Sequence, residues 1–226
     1  GSEMCIRDRH EGFIWLSRLA QWGVGACLAD DMGLGKTVQI LAILLQRAAG
    51  GPQLVVAPTS VILNWQAESK RFAPQLKLRL YHQQRNLDDL GPGDLLITSY
   101  GLLQQDSAAF AARSWNTVVL DEAQAIKNAQ TKRSQAVMAL QANFRVVATG
   151  TPLENHLGEL WNLFHFINPG LLGSQDSFNS RFSNPIEQGD GAARRALKAL
   201  IQPFILRRLK SQVLDELPAR TEITYK

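Results

Sequence analysis

Two glycines, a lysine and a threonine stand together in LADDMGLGKTVQIL, residues 28–41, between two apolar runs. Gly33 and Gly35 let the backbone turn tightly and aim N–H groups at an anion, at the positive end of a helix starting near Lys36. Lys36 has the reach and charge for β- and γ-phosphates, and the Thr37 hydroxyl suits Mg²⁺. Asp30 occupies the place where the strict G-x-x-x-x-G-K-[ST] loop has its first glycine. The candidate nucleotide loop is therefore Asp30, Asp31, Met32, Gly33, Leu34, Gly35, Lys36 and Thr37. A strand-to-helix turn that merely needs glycine is the plainer alternative; the GKT ending after an apolar run favours phosphate.

A second group lies in VVLDEAQ, residues 118–124. An apolar run that ends in two carboxylates is costly unless a cation offsets the charge. Asp121 suits Mg²⁺ and Glu122 suits the polarising of an attacking water. Taken alone, an Asp-Glu pair at a strand end more often caps a helix. With GKT on a neighbouring strand, the two groups together specify nucleoside-triphosphate hydrolysis.

The elements that must position these residues can be read from periodicity. Five short runs, at 26–30, 53–58, 94–100, 117–123 and 145–150, are nearly continuous in apolar residues, as strands buried on both faces should be. Helical patterns follow most of them: 37–49, ending before Gly50-Gly51, and 156–167, stopping at Asn168-Pro169-Gly170. Alternation of strand and helix predicts an α/β fold with a parallel sheet, right-handed crossovers and helices on both faces. The polar residues cluster at the carboxyl ends of the runs: Asp30 to Thr37, Thr59-Ser60, Thr98 to Tyr100, Asp121-Glu122 and Thr149 to Thr151. In an open parallel sheet all those ends share one edge, where ligands bind.

Composition bounds the reading. The 226 residues are 45% hydrophobic and 19% charged, ordinary for a globular chain and unlike a disordered one. No apolar run approaches the ~20 residues of a membrane helix. Two cysteines are too few for a disulfide framework, which points to a reducing interior. The net charge of +4 is compatible with a polyanionic partner. Between Gly191 and Leu214 stand Arg194, Arg195, Lys198, Arg207, Arg208 and Lys210 with no acidic residue, a stripe able to neutralise phosphates or equally to form a solvated face. Residues 1–9 lack a core pattern and read as a foreign prefix, and TEITYK at the other end reads as a cut strand.

DDMGLGKT, VVAPTSVILNW, TSY, LDEAQAIKN, ATGTPLENHLGELWNLFHFINPG and PFILRRLKSQVLDELPARTE, in this order, resemble successive motifs of the SWI/SNF-type DNA-dependent ATPases of helicase superfamily two. The resemblance runs from about Glu11 to the end, and its spellings lean towards a bacterial member. It implies a RecA-like, P-loop NTPase lobe over residues 10–170, then a basic helical extension over 171–226 leading to a second lobe that the motifs here do not include. It implies ATP and Mg²⁺ as cofactors, catalytic Lys36, Asp121, Glu122 and Gln124, and metal ligation by Thr37 and Asp121. It implies duplex DNA as partner, gripped by its backbone without regard to sequence, through Thr59, Ser60 and the coupling residues Thr149, Gly150, Thr151 and Asn155. Trp65 reads as a core aromatic in preference to a DNA contact. Asp8 and Arg9 stand where the family has a tyrosine-glutamine pair that helps read adenine. The arginine fingers that the second lobe supplies are missing from the motifs present. The activity implied is translocation along DNA that remodels protein–DNA complexes, in the bacterial nucleoid or a eukaryotic nucleus. A P-loop ATPase acting on something other than nucleic acid, or an inactive ATP-binding fragment, is the competing reading.

Overall fold

Apolar runs flanked by helical patterns assemble, in a computed structural model, into one seven-stranded sheet; the structure describes residues 3–30, 35–150 and 156–207. The strands are β1 (Ala26–Leu28), β2 (Gln53–Ala57), β3 (Lys77–Leu80), β4 (Asp94–Ser99), β5 (Ser114–Leu120), β6 (Gln141–Ala148) and β7 (Ile205–Leu206). Their order is β3-β4-β2-β5-β6-β1-β7, and every pair is parallel. The five expected strands are the central ones. β3 and β7, unforeseen, are the two edges. An edge strand is half wet, so Lys77-Leu78-Arg79-Leu80 alternates instead of running apolar, and two residues at β7 are too few to show a period. β5 and β6 begin earlier than their apolar stretches do, because polar starts such as Ser114 and Gln141 already pair with each other.

The helices are α1 (Glu3–Trp22), α2 (Lys36–Gln46), α3 (Thr59–Phe72), α4 (Tyr100–Gln105), α5 (Ser107–Ala111), α6 (Lys132–Met138), α7 (Leu157–Ile167), α8 (Gln175–Phe178), α9 (Asn184–Glu187) and α10 (Gly191–Ile201). Successive strand residues point to opposite faces. Leu54 and Val56 join one core with Tyr100, Phe110, Val137 and Phe164; Val55 and Ala57 join another with Leu16, Ile40, Ile43 and Trp65. Helices α1 to α3 therefore cover one face, and α4 to α7 with the later helical outgrowth cover the other.

α1 runs unbroken from Glu3, through the segment that the sequence sets apart, and Arg9 from it packs against Gly35. α10 is capped by the Asp190 carboxylate, which accepts from the Ala192 and Ala193 amides. It buries Leu197 and Ile201 and turns Arg194, Arg195 and Lys198 to solvent, which accounts for half of the basic stripe. Arg207 is half-buried just after β7, and Arg208 and Lys210 lie outside the described residues.

Candidate active site

Because all seven strands run the same way, their carboxyl ends form one edge, and the chemistry-bearing residues sit along it. After β1 the chain passes through Ala29 and the fully buried Asp30. Gly35 then starts α2 with φ +78°, a left-handed conformation that glycine alone adopts freely. A Cβ there would also come 2.6 Å from Arg9 Nε and displace that flexible side chain, so the backbone conformation is what favours glycine. Lys36 is the first residue of α2, and its Nζ donates to the Asp30 carbonyl at 2.7 Å. The same ammonium stands beside Gly150, past the end of β6: a Cβ on that glycine would lie 3.8 Å from Nζ. Thr37 follows in the first turn, half-buried.

The carboxylate pair follows β5. The Asp121 amide extends the ladder by donating to the Val56 carbonyl at 2.8 Å. One carboxylate oxygen, Oδ2, accepts from the Trp65 indole at 2.7 Å, and the other, Oδ1, from the Glu122 amide at 2.9 Å. The Tyr100 hydroxyl donates to the Asp121 carbonyl at 2.7 Å. Burial raises the Asp121 carboxyl above its ordinary range, against the pull of the Trp65 and Glu122 hydrogen bonds and the Lys36 charge. Burial likewise pushes the Tyr100 phenol well up, and the Asp121 charge adds to it. Glu122 has φ +46°, the one non-glycine residue among those described with a left-handed backbone. Such strain collects at functional sites. The Gln124 amide donates to Glu122 Oε2, and Gln124 Oε1 accepts from the Thr149 hydroxyl at 3.1 Å. Glu122, Gln124 and Thr149 thus form a polar chain from the end of β5 to the end of β6.

Of the residues singled out from sequence, Asp30, Gly35, Lys36, Thr37, Asp121, Glu122, Gln124, Thr149 and Gly150 meet along this edge. Thr59 and Ser60 open α3 at the same edge and are exposed. Asp31, Met32, Gly33, Leu34, Thr151 and Asn155 lie outside the described residues. Trp65 is a core residue, as expected, and in addition a donor to the site. Tyr100, which the sequence places among the polar residues at a strand end, donates to the Asp121 carbonyl, a partner the sequence does not show. The signal for both is chemical: a buried indole N–H or phenol must find an acceptor, and the end of β5 supplies one.

A family model described as the SNF2-related domain matches residues 9–226. The chain belongs to that family. It is 45% identical over 224 residues to the putative ATP-dependent helicase/translocase YwqA of Bacillus subtilis, covering 93% of this chain and 24% of that protein. It is 39% identical over 239 residues to the chromatin-remodeling ATPase INO80 of Lodderomyces elongisporus, covering 94% of this chain and 15% of that one. A solved SWI2/SNF2 ATPase core of Sulfolobus solfataricus in complex with dsDNA superposes with a TM-score of 0.85 at 42% identity, over 93% of this chain and 46% of that one. The chain thus spans a quarter or less of these curated relatives and under half of the solved core. The RecA-like fold expected from the resemblance is the SNF2-related fold observed. The match of the SNF2-related domain begins at Arg9, inside α1 and one residue before the boundary read from sequence.

Proposed function

We propose that this chain is the ATP-binding part of a DNA-dependent ATPase that moves along duplex DNA and remodels protein–DNA complexes. The observation that carries this reading is the meeting, on one sheet edge, of the Lys36 ammonium, the Asp121–Glu122 pair and the Gln124–Thr149 link. Lys36 would release the Asp30 carbonyl and take the β- and γ-phosphates, with the amides of the loop ending at Gly35. Glu122, its backbone strained and its carboxylate fixed by Gln124, would orient the attacking water and accept its proton. Thr149 would report the state of that carboxylate to the segment after β6, where Gly150, Thr151 and Asn155 would couple it to DNA.

The residues fit Mg²⁺. Asp121 is a half-buried carboxylate whose charge is opposed by desolvation, with the Thr37 hydroxyl as a second oxygen. Among the described residues no group of three or more His, Cys, Asp or Glu could cage a metal. That suits an ion shared with phosphate oxygens and water. When bound, Mg²⁺ would neutralise charge on the transferred phosphoryl group.

Thr59 and Ser60 offer hydroxyls at the start of a helix, groups that suit phosphates and carry no base information. With Arg194, Arg195 and Lys198 they fit sequence-independent duplex binding, and a SWI2/SNF2 relative is solved on dsDNA. A second RecA-like lobe is the other partner. Such work belongs with DNA, in the nucleoid of a bacterium or the nucleus of a eukaryote.

Two measurements test the reading. Lys36→Ala should lower ATP affinity by roughly ten- to a hundredfold in calorimetry while leaving the unfolding midpoint unchanged. Equal binding by the variant and the parent would refute the site. Duplex affinity should fall linearly on a log–log plot against salt and be equal for unrelated sequences; salt-independent or sequence-dependent binding would refute the DNA half.

A further inference from the structure

We infer that Trp65 is a positioning residue for Asp121: its indole N–H aims the carboxylate at the metal of the nucleotide, so that the Mg²⁺-dependent part of ATP binding depends on a residue that touches neither. The inference rests on the nucleotide site proposed above. Trp65 is 1% exposed on α3, in the core beneath one face of the sheet. Packing at that depth calls for an apolar ring and makes no use of a hydrogen-bond donor. The indole adds one donor, and that donor goes to Asp121 Oδ2 at 2.7 Å, the short separation of a bond to an ionised group.

Asp121 is held from both sides of the sheet. Trp65 belongs to one core and grips the carboxylate; Tyr100 belongs to the other and grips the carbonyl of the same residue. The Glu122 amide takes the remaining carboxylate oxygen at 2.9 Å. Each oxygen therefore has a fixed donor from a different element, and the carboxylate plane cannot turn without breaking one of them. Outer groups that orient a ligating carboxylate commonly set metal affinity by 10- to 100-fold.

Trp65→Phe keeps an aromatic ring and deletes the N–H. ATP affinity is measured by calorimetry twice for each protein, with Mg²⁺ and with EDTA. The EDTA value reflects Lys36 and the loop. The ratio of the two isolates the metal's share. The expected result is an EDTA affinity equal to that of the parent and a Mg²⁺-to-EDTA ratio lowered by about tenfold or more. A purely packing role would lower the unfolding midpoint and leave the ratio at the parental value, which overturns the inference. If neither protein binds ATP under either condition, the nucleotide site itself is wrong, a different failure. Should Trp65→Phe not fold, the parent decides: in a ¹⁵N-labelled sample the Trp65 indole resonance should move when Mg²⁺ is added to the ATP-bound chain. A stationary resonance overturns the inference.

Discussion

Cys27, in the middle of β1, has no exposed surface, and burial pushes its thiol from the usual 9.0 up to about 12. A native-state pKa above the unfolded one means that the folded chain holds its proton where the unfolded chain releases it. The contribution to stability is whole below about pH 9 and is lost as the pH climbs towards 12. Urea midpoints should therefore fall between pH 9 and pH 11 more steeply for the parent than for Cys27→Ala; parallel curves would show that the thiol is not sheltered. The same sheltering makes this cysteine inert as a nucleophile in the folded state. At Asp121 partial burial works against the fold, since desolvation disfavours the carboxylate's charge. A cation at that position would relieve the cost.

At the scale of elements, the entry of the chain into β1 is clamped by the end of α7. Asn168 closes that helix, and its side chain accepts from the Gly25 amide at 2.8 Å and donates to the Gly25 carbonyl at 3.3 Å. The backbones approach so closely that a Cβ on Gly25 would stand 2.3 Å from the Ile167 carbonyl oxygen. β1 leads directly to the segment proposed to hold nucleotide, so the clamp fixes where that segment begins. Gly25→Ala should destabilise the fold by roughly 1–3 kcal/mol through overpacking. Thermal unfolding checks it: a midpoint within error of the parent would show that the α7–β1 junction yields. Caps act locally beside this. Thr131 accepts from the Ser134 amide at the start of α6, after the loop that leaves β5, and Ser99, the last residue of β4, accepts from Leu102 at the start of α4.

At the scale of the molecule, the edge described is one wall of a site. In the proposed function, Lys36, Thr37, Asp121 and Glu122 would provide a phosphate clamp, metal oxygens and water activation. Charge developing on the transferred phosphoryl group still calls for a cation from the facing side. An arginine finger is worth about 10³–10⁵ in rate. The solved Sulfolobus core is more than twice the span matched here. The 226-residue chain should therefore bind ATP and turn it over very slowly, with or without duplex DNA. Joined to the remaining part of a SNF2-type core, it should gain DNA-stimulated hydrolysis that Glu122→Gln abolishes. Brisk turnover by the chain alone, dependent on Glu122, would show one wall to be sufficient. No helix among the described residues is long and apolar enough to cross a membrane.

The central sheet was legible from sequence because strands buried on both faces carry apolar runs, and β1, β2, β4 and the later parts of β5 and β6 do. The clustering of Lys36, Asp121 and Thr149 on one edge followed from that, since parallel strands put every carboxyl end on the same side. The edge strands β3 and β7 were not legible: half-wet or two residues long, they leave no period to count. Nor did local pattern distinguish Trp65 and Tyr100 from ordinary core aromatics. Their donors lie 56 and 21 residues from Asp121 along the chain, and only the order of the strands, with β5 beside β2 and β2 beside β4, brings them to it. Sequence alone singled out the residues proposed to carry the chemistry, because charge and hydroxyl content are local properties. Tertiary structure decided which neighbours hold those residues in place, because a hydrogen bond to the Asp121 carboxylate or carbonyl depends on which helices the sheet has packed above and below it.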